Sequence, residues 1–394
     1  MKKVLVLDAN QRSALAVTRS LGKQGIEVFT AEETSTALAS ASKFSTKHFT
    51  YPSPRQNHQQ FIEMLSQLVE QNNIDILLPM TELTTMLLLK HKDLFANASI
   101  PFPDIDTVDS LANKCLLMQT ATSLNIPIPR TWYADSPANL PCELDELPYP
   151  IVLKPGKSWL LYQGQWRRAE VQFAADADQA KTILDSDWAF KSHPFMLQEC
   201  VDGHGAGVFS IYDKGRSLAL FAHRRLREKP PNGGVSVLSE SVRVPTDLGA
   251  YSQALLDNAN WHGVAMVEFK IATDGTPYLM EINTRFWGTL QLAIDSGVDF
   301  PHLLFQLACD EQPAQVVDYK KGNKLRWLMG DLDSLYLSLK DSQTSFSTKA
   351  KLVGKFLTPS LSTRHEINRL SDIKPFWFEL RQYFRDILGL NSNS

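Results

Sequence analysis

Short apolar runs alternate with amphipathic stretches over the first hundred residues, a pattern typical of strands buried between helices. Residues 3–8 form a continuous apolar run rich in β-branched side chains, which predicts a buried parallel strand. A helical pattern at 12–24 follows, and Ile26–Thr30 predicts the next strand. A helix at 57–72 and a strand at 74–78 repeat the alternation. The pattern therefore predicts a doubly wound α/β unit at the start of the chain.

The turn after the first strand indicates whether this α/β unit could bind a dinucleotide. It runs from Asp8 to Ser13 and contains no glycine. A dinucleotide site needs glycines there, because the backbone must approach a pyrophosphate closely. The sequence therefore argues against an oxidoreductase that binds NAD at this unit.

The pattern changes after residue 100. Prolines and aspartates between Pro101 and Asp109 indicate a domain boundary, and an amphipathic helix is predicted at 110–124. The strands predicted beyond it lie at 149–154, 194–200, 206–212, 218–226 and 325–330. A last amphipathic helix is predicted at 376–388.

Composition narrows the class of protein. The 394 residues are 43% hydrophobic and 21% charged, as expected of a globular enzyme with several domains. A net charge of -3 gives no general reason to bind nucleic acid. Four separated cysteines without a CxxC motif predict neither a zinc site nor a disulfide framework, and no apolar run predicts a signal peptide or a membrane span. We therefore expect a reduced, cytoplasmic location.

The most informative stretch is residues 264–283, which has two apolar-rich halves around Asp274-Gly275. Asp-Gly between such halves predicts a hairpin with a two-residue turn. In that register Glu268 lies opposite Glu281, and Asn283 projects from the same face. The alternation sends the neighbouring apolar side chains, namely Val267, Phe269, Met280 and Ile282, into a core.

Two like charges facing each other on a sheet repel, so this hairpin needs a cation close by. Hard oxygen donors without His or Cys favour magnesium, which also bridges nucleotide phosphates. Arg285 follows on the same alternation and is a candidate for contact with phosphoryl charge. A solvated hairpin with a polar outer face fits the same alternation.

These residues resemble the ATP-grasp superfamily, specifically its carboxylate-amine ligase and carbamoyl-phosphate-synthase-like branch. The resemblance spans about residues 1–310, and its most specific part is Glu268-Phe269 followed by residues 279–288. It implies that Glu268, Glu281 and Asn283 bind Mg²⁺, with Mn²⁺ as a substitute, and that Arg285 is catalytic.

The resemblance also implies a nucleotide site. Lys114 and Lys154 are similar to the two lysines that hold ATP phosphates in the family, although a surface position explains Lys114 as well. The segment around Glu199 resembles the family's adenine-binding strand, although an edge strand ending in a glycine turn has the same spacing. The residues implied to bind adenosine or phosphate there are Gln198, Glu199, Cys200, Val201 and His204.

Two loops resemble the family's substrate-binding and phosphate-covering segments. Arg225 and Arg227 lie on a basic strand before a Pro-Pro-Asn-Gly-Gly loop, and the resemblance implies that they neutralise a phosphoryl group or a carboxylate. Strand alternation places both arginines on one face and Arg224 on the other, so which arginine acts stays open. The covering loop at 156–170 departs from the family, because it has few glycines and many aromatic residues.

The fold class implied is α/β and α+β, in four parts. We expect a Rossmann-like pre-ATP-grasp domain at 1–109, a small ATP-grasp lobe at 110–190 and a large lobe with the Mg-ATP site at 191–310. A C-terminal extension of unknown role occupies 311–394.

The function implied is an ADP-forming ligase that couples a small carboxylate to an amine, with ATP and magnesium. Acyl- or carbamoyl-phosphate synthesis, carboxylase chemistry and a non-catalytic ATP sensor stay open as alternatives. The expected partners are small molecules, without nucleic acid or a membrane span, and homo-oligomer formation is left open.

Overall fold

The computed structural model describes residues 2–231, 233–342, 344–358 and 362–388. Its first part is a four-stranded parallel sheet in the order β3-β2-β1-β4. The elements are β1 Lys3–Val6, α1 Arg12–Lys23, β2 Glu27–Glu32, β3 Lys47–Thr50, α2 His58–Asn72, β4 Ile76–Leu78 and α3 Glu82–Lys90. The predicted α/β alternation is therefore confirmed.

A second sheet is antiparallel, in the order β5-β10-β6-β9, and carries a separate hairpin. The elements in this part are α4 Ile105–Ala112, α5 Lys114–Ser123, β5 Thr131–Ala134, β6 Ile151–Pro155, β7 Trp159–Tyr162, β8 Gln165–Arg168, β9 Gln172–Ala174, α6 Ala177–Ser186, α7 Trp188–Ser192 and β10 Phe195–Glu199. β7 and β8 pair only with each other in the described chain and occupy the predicted covering loop.

The single helix predicted at 110–124 is wrong. The chain forms two helices, because Asn113 leaves the helical conformation and caps α5. Its Oδ1 accepts hydrogen bonds from the amides of Cys115 at 3.0 Å and Leu116 at 3.4 Å. Asparagine is a favoured capping residue because its short side chain reaches these free amides. The break makes Lys114 the first residue of α5.

The third sheet has seven strands in the order β15-β14-β11-β12-β13-β16-β17. Its elements and those that follow are β11 Gly203–Asp213, β12 Arg216–Lys229, β13 Val235–Val242, α8 Thr246–Asn258, β14 Gly263–Ala272, β15 Pro277–Asn283, α9 Leu290–Ser296, α10 Phe300–Ala308, β16 Lys324–Arg326, α11 Leu328–Lys340, α12 Phe346–Leu357, β17 Thr363–His365 and α13 Lys374–Ile387. The strand predicted at 325–330 is wrong in its second half, where α11 begins. Among the described residues, no helix combines the length and apolar character needed to cross a membrane.

Two large apolar cores join these sheets. One lies under the parallel sheet and continues beneath β15, β14 and β11 of the large sheet, and it includes Phe61, Trp261 and Phe269. The other packs α1 against α9 and α10 and includes Leu15 and Phe300. The first and third sheets therefore share buried surface.

The C-terminal part is fixed to α1 by a buried arginine. Arg19 is 1% exposed, and its Nε donates to Asp372 Oδ2 at 2.8 Å. Its other nitrogens donate to the carbonyl oxygens of Glu366, Ile367 and Asp372 at 2.8 to 2.9 Å. A buried guanidinium is stable only when its donors are satisfied, so this segment has one defined position on α1.

Arg19→Met is expected to loosen this junction, because it leaves the buried Asp372 carboxylate without its partner. Removing one member of a buried ion pair costs about 3–5 kcal/mol. Thermal unfolding should show a large fall in the midpoint, and limited proteolysis should cut near residues 366–372. Arg216→Met, at an exposed ion pair, is the control and should change neither. An unchanged midpoint for Arg19→Met would contradict the assignment.

Candidate active site

Two carboxylates face each other on the edge strand of the large sheet and its neighbour. Glu268 on β14 pairs with Glu281 on β15, as the sequence predicts. The side-chain amide of Asn283 lies between them, and its Nδ2 is 3.0 Å from Glu268 Oε1 and 3.2 Å from Glu281 Oε1. The amide therefore donates to both carboxylates and reduces their repulsion.

The predicted pairing is correct although the predicted turn is wrong. Ala272 pairs with Thr276 across a three-residue loop, and Gly275 takes a φ of +90°, which favours glycine. That extra loop residue shifts the register by one, and a bulge between Glu268 and Phe269 shifts it back. Met280 lies in this irregular region and faces Lys154 rather than the predicted core.

Cations from two other parts of the chain approach the carboxylates. Lys114, at the start of α5, places its Nζ 3.4 Å from Glu281 Oε2 and 3.1 Å from Ser158 Oγ. Arg225 on β12 places Nη2 3.0 Å from Glu268 Oε2. Lys114 is 8% exposed, so a plain surface position does not explain it.

The two carboxyl groups respond differently to these neighbours. Burial raises the pKa of Glu268, and the charge of Glu281 raises it further, while Arg225 opposes both. Burial also acts to raise the pKa of Glu281, but Lys114, Asn283 and Lys154 outweigh it and lower the pKa overall. Of the two, Glu268 therefore takes up a proton more readily.

Two cavities meet at this pair. The larger, of about 740 Å³, lies beside Lys114, Ser158 and Glu281. The smaller, of about 240 Å³, lies beside Arg225 and Glu268. The residues that line both cavities are Gly234, Glu281, Asn283 and Arg285. The carboxylates thus separate two spaces of different size.

Lys154 is held under the hairpin by a polar network. Its Nζ donates to Gln198 Oε1 at 2.6 Å, and Gln198 Nε2 donates to Thr131 Oγ1 at 3.0 Å. Burial lowers the pKa of Lys154 to about 8, although the charge of Glu281 opposes this shift. A buried lysine with so low a pKa is suited to meet an anion.

The residues expected to bind adenosine connect two sheets. Glu199 ends β10, His204 lies at the start of β11, and Cys200 and Val201 lie in the intervening connection. The Glu199 amide donates to the carbonyl oxygen of Arg130 at 2.9 Å. Among the described residues, these four line neither of the two cavities.

The three arginines predicted to be catalytic separate into two groups. Arg285 reaches the boundary between the cavities, where its Nη2 donates to Asn283 Oδ1 at 3.2 Å. Arg227, by contrast, lies against α11 with two 2.6 Å hydrogen bonds to Asp331, which is 1% exposed. A register shift between Arg225 and Arg227 breaks the alternation, so the prediction that they share a face is wrong.

Sequence reasoning missed the residues that the parallel sheet contributes. Gln11 and Arg12 follow β1, Glu82 follows β4, and all three line the cavities. Burial raises the pKa of Glu82, while Lys114 opposes the shift. Strands β1 and β4 are adjacent and parallel, and side chains beyond the carboxyl ends of such strands commonly meet a ligand. The positions of Gln11, Arg12 and Glu82 directly after predicted parallel strands were the signal that could have identified them from the sequence.

The aromatic covering loop folds into the β7–β8 hairpin, which packs against the first part of the chain. The amide of Trp166 donates to the carbonyl oxygen of Arg55 at 3.0 Å, and Lys90 Nζ lies 4.9 Å from its ring centroid. Trp159 and Arg168 from this hairpin line the larger cavity. These contacts hold the hairpin beside the larger cavity.

The donor set suits a hard cation that shares its ligands with phosphate. Among the described residues, no group of three or more His, Cys, Asp or Glu side chains is placed to hold a metal. Glu268 and Glu281 supply two carboxylates, and Asn283 adds an amide. Magnesium in phosphate-transferring sites is commonly held by one or two carboxylates together with substrate phosphates, so these residues fit it.

Comparisons with known proteins bear on this geometry. Residues 191–330 match a family model described as ATP-grasp in the biosynthetic pathway with Ter operon. No curated protein matches the chain at the level of sequence.

Solved structures are similar over most of the chain. An L-amino acid ligase from Bacillus licheniformis is 14% identical, with a TM-score of 0.58, over 78% of this chain and 74% of that one. A carboxyaminoimidazole ribonucleotide synthase from Aspergillus clavatus, complexed with ATP, is 17% identical, with a TM-score of 0.61, over 83% and 82%. The biotin carboxylase domain of a Hydrogenobacter thermophilus 2-oxoglutarate carboxylase, with MgADP and bicarbonate, is 14% identical, with a TM-score of 0.61, over 82% and 73%. At these identities the likeness shows the fold, and the expected fold is confirmed.

The facing carboxylates are expected to respond oppositely to neutralisation. The raised pKa of Glu268 means that its charge costs stability above its ordinary pKa, whereas the lowered pKa of Glu281 means that its charge adds stability there. At pH 7 with a chelator, Glu268→Gln should raise the thermal midpoint and Glu281→Gln should lower it, each by about 2 °C or more. Shifts of the same sign would contradict the assigned charges.

Proposed function

We propose that the chain belongs to the ATP-grasp superfamily and is an ATP- and Mg²⁺-dependent ligase that activates a carboxylate as an acyl phosphate and joins it to an amine. The observation that carries this proposal is the Glu268–Glu281 pair between two cavities, with Lys114 and Arg225 beside it. An L-amino acid ligase and an ATP-bound synthase share the fold.

The nucleotide would occupy the side of the site that holds the two lysines. Lys114 lines the larger cavity, and Lys154 lies beneath the hairpin next to Met280. Both would donate to phosphate oxygens. By resemblance, Glu199 and the backbone of Cys200 and Val201 would bind the base and sugar, with the neighbouring Gln198 and His204 completing this part of the site.

Magnesium would be held by Glu268, Glu281 and Asn283. When bound, it supplies neutralisation of the charge that develops on transferred phosphoryl oxygens. The protein itself would supply positive charge from Lys114 and Arg285, which both line the larger cavity. Arg225 balances Glu268 and stays available to the smaller cavity.

The proposed chemistry has two steps, and the atoms balance in each. A carboxylate oxygen attacks the γ-phosphorus of ATP, and the bond to ADP breaks, which gives an acyl phosphate. An amine then attacks the acyl carbon, a C–N bond forms, and phosphate leaves with the C–O bond electrons. Arg285 is placed between the cavities, where it can stabilise the oxyanion of the second step.

The attacking amine must lose a proton, and Glu82 is the base we assign. Its carboxyl group lines the larger cavity at the start of α3. Burial raises its pKa, which brings it closer to the range of an effective general base at neutral pH.

ADP release from Mg-ATP tests this proposal, with pooled small carboxylic acids and amines as substrates. Activity should depend on both pools. Glu281→Gln should lower the rate by about 10³-fold or more, because it removes a carboxylate that would hold Mg²⁺ at the transferred phosphoryl group. Glu63→Gln, on the exposed face of α2, is the matched control and should keep full activity.

The outcomes also separate the alternatives. ADP release with acids alone would favour synthesis of an acyl or carbamoyl phosphate, and a requirement for bicarbonate would favour carboxylase chemistry. Tight Mg-ATP binding without turnover in any pool would favour a sensor. Full activity of Glu281→Gln would overturn the proposed site.

The titration of Lys154 should make ATP binding depend on pH. Its lowered pKa means that the charged form is lost as pH rises through about 8. Because phosphate binds the charged form, the ATP dissociation constant should rise several-fold between pH 7.5 and 9. Lys154→Met should bind ATP weakly with little pH dependence over that range, whereas Lys181→Met, on exposed α6, should follow the wild type. Parallel profiles for wild type and Lys154→Met would contradict the role.

A further inference from the structure

The smaller cavity has an unusual charge lining. Three arginines line it, Arg12, Arg225 and Arg285, together with the carboxylates of Glu268 and Glu281. Trp287 and Met266 contribute apolar surface. Its volume of about 240 Å³ restricts it to a small molecule.

The three arginines differ in how far the protein neutralises them. Arg225 meets Glu228 at 3.1 Å and Glu268 at 3.0 Å. Arg285 donates to the carbonyl oxygen of Phe286 and to Asn283, and within the described chain no carboxylate lies within ion-pair distance of it. Arg285 is therefore free to bind the carboxylate that is activated.

Arg12 is held on one edge and open on the other. Its Nη1 donates to Glu366 Oε2 at 2.5 Å, and its guanidinium carbon lies 4.1 Å from the centroid of the Trp327 ring. Over the described residues, Glu366 is its only hydrogen-bond partner. Its Nη2 lies close to Gly288, which lines the cavity: a β-carbon added at this glycine would be 2.9 Å from the nitrogen.

We propose that Arg12 binds a second anionic group of the acid substrate, so that the enzyme takes a small acid with two anionic groups. This inference rests on the proposed function and names its substrate class. One anionic group would meet Arg285 beside Glu281, and the other would meet the open nitrogens of Arg12 across the cavity. Planar guanidinium groups suit carboxylates, which they bind through paired hydrogen bonds.

The C-terminal part acts as the positioning element for Arg12. Glu366 is 3% exposed and is the first residue of the segment that Arg19 fixes to α1, because its carbonyl oxygen accepts from Arg19 Nη1. Trp327 is fixed as well, because its Nε1 donates to Glu379 at 2.6 Å and its ring packs on Gly330. Arg12 and Arg19 lie seven residues apart on α1 and so lie on the same side of the helix. One segment therefore orients both arginines.

Binding of unreactive acids tests the assignment without turnover. Isothermal calorimetry with Mg²⁺ and ADP would compare malonate with propionate, succinate with butyrate and glutarate with pentanoate. At least one dicarboxylate should bind about tenfold or more tightly than its monocarboxylate. 3-Phosphonopropionate distinguishes a carboxylate from a phosphoryl group as the second anion. Absence of any preference for two anionic groups in the wild type would overturn the proposal.

Variants assign the preference to Arg12. Arg12→Met should abolish the preference and leave monocarboxylate binding within about twofold, whereas Arg12→Lys should keep part of it. Glu366→Gln should reduce the preference without abolishing it, an effect that a purely structural role would not give. Arg216→Met, far from the cavity, should match the wild type. An undiminished preference in Arg12→Met would overturn the proposal.

The two proposals fail in distinguishable ways. Dicarboxylate binding that depends on Arg12, without ADP release in any pool, would support the binding assignment and overturn the ligase. ADP release that depends on Glu281 but is unaffected by Arg12→Met with every acid would support the ligase and overturn the binding assignment.

Discussion

The repulsion between Glu268 and Glu281 is the constraint on which the site depends. Each carboxylate faces the other on adjacent strands, and 24% and 37% of their side chains are exposed. Such a pair is stable only with positive charge close by. The chain meets this requirement twice, with Lys114 beside Glu281 and Arg225 beside Glu268, and the neutral amide of Asn283 donates a hydrogen bond to each carboxylate.

The residues around this pair come from separate parts of the chain, so the geometry of the site depends on several elements of the fold. Lys114 depends on the break at Asn113, since a continuous helix would leave it one turn within a longer element. Arg225 depends on the pairing of β12 with β13 just before the register shift. Glu82 depends on the parallel pairing of β1 with β4. An error at Lys114 or Arg225 would leave a carboxylate of the pair without its counter-charge.

Local pattern predicted the α/β alternation and the facing glutamates, but not the irregularities around them. The hairpin register came out correctly because the longer turn and the bulge shift it in opposite directions, and neither is encoded by period-2 alternation. Arg227 was misplaced for the same reason, since a bulge reverses the face of every later residue. Partners far apart in sequence, such as Arg12 and Glu366, leave no signal in local pattern.

The role of the C-terminal part follows from these long-range contacts. β16 and β17 extend the large sheet. Asp331 on α11 forms an ion pair with Arg227, just before the loop whose Gly234 lines both cavities. Lys229, two residues further along, pairs with Asp333, so two carboxylates of the same turn of α11 fix the strand at the point where the loop begins. Glu366 in turn holds Arg12, so the C-terminal part positions two segments that line the smaller cavity, although none of its own described residues lines it. A segment without any recognisable motif therefore shapes the space in which the acid would bind.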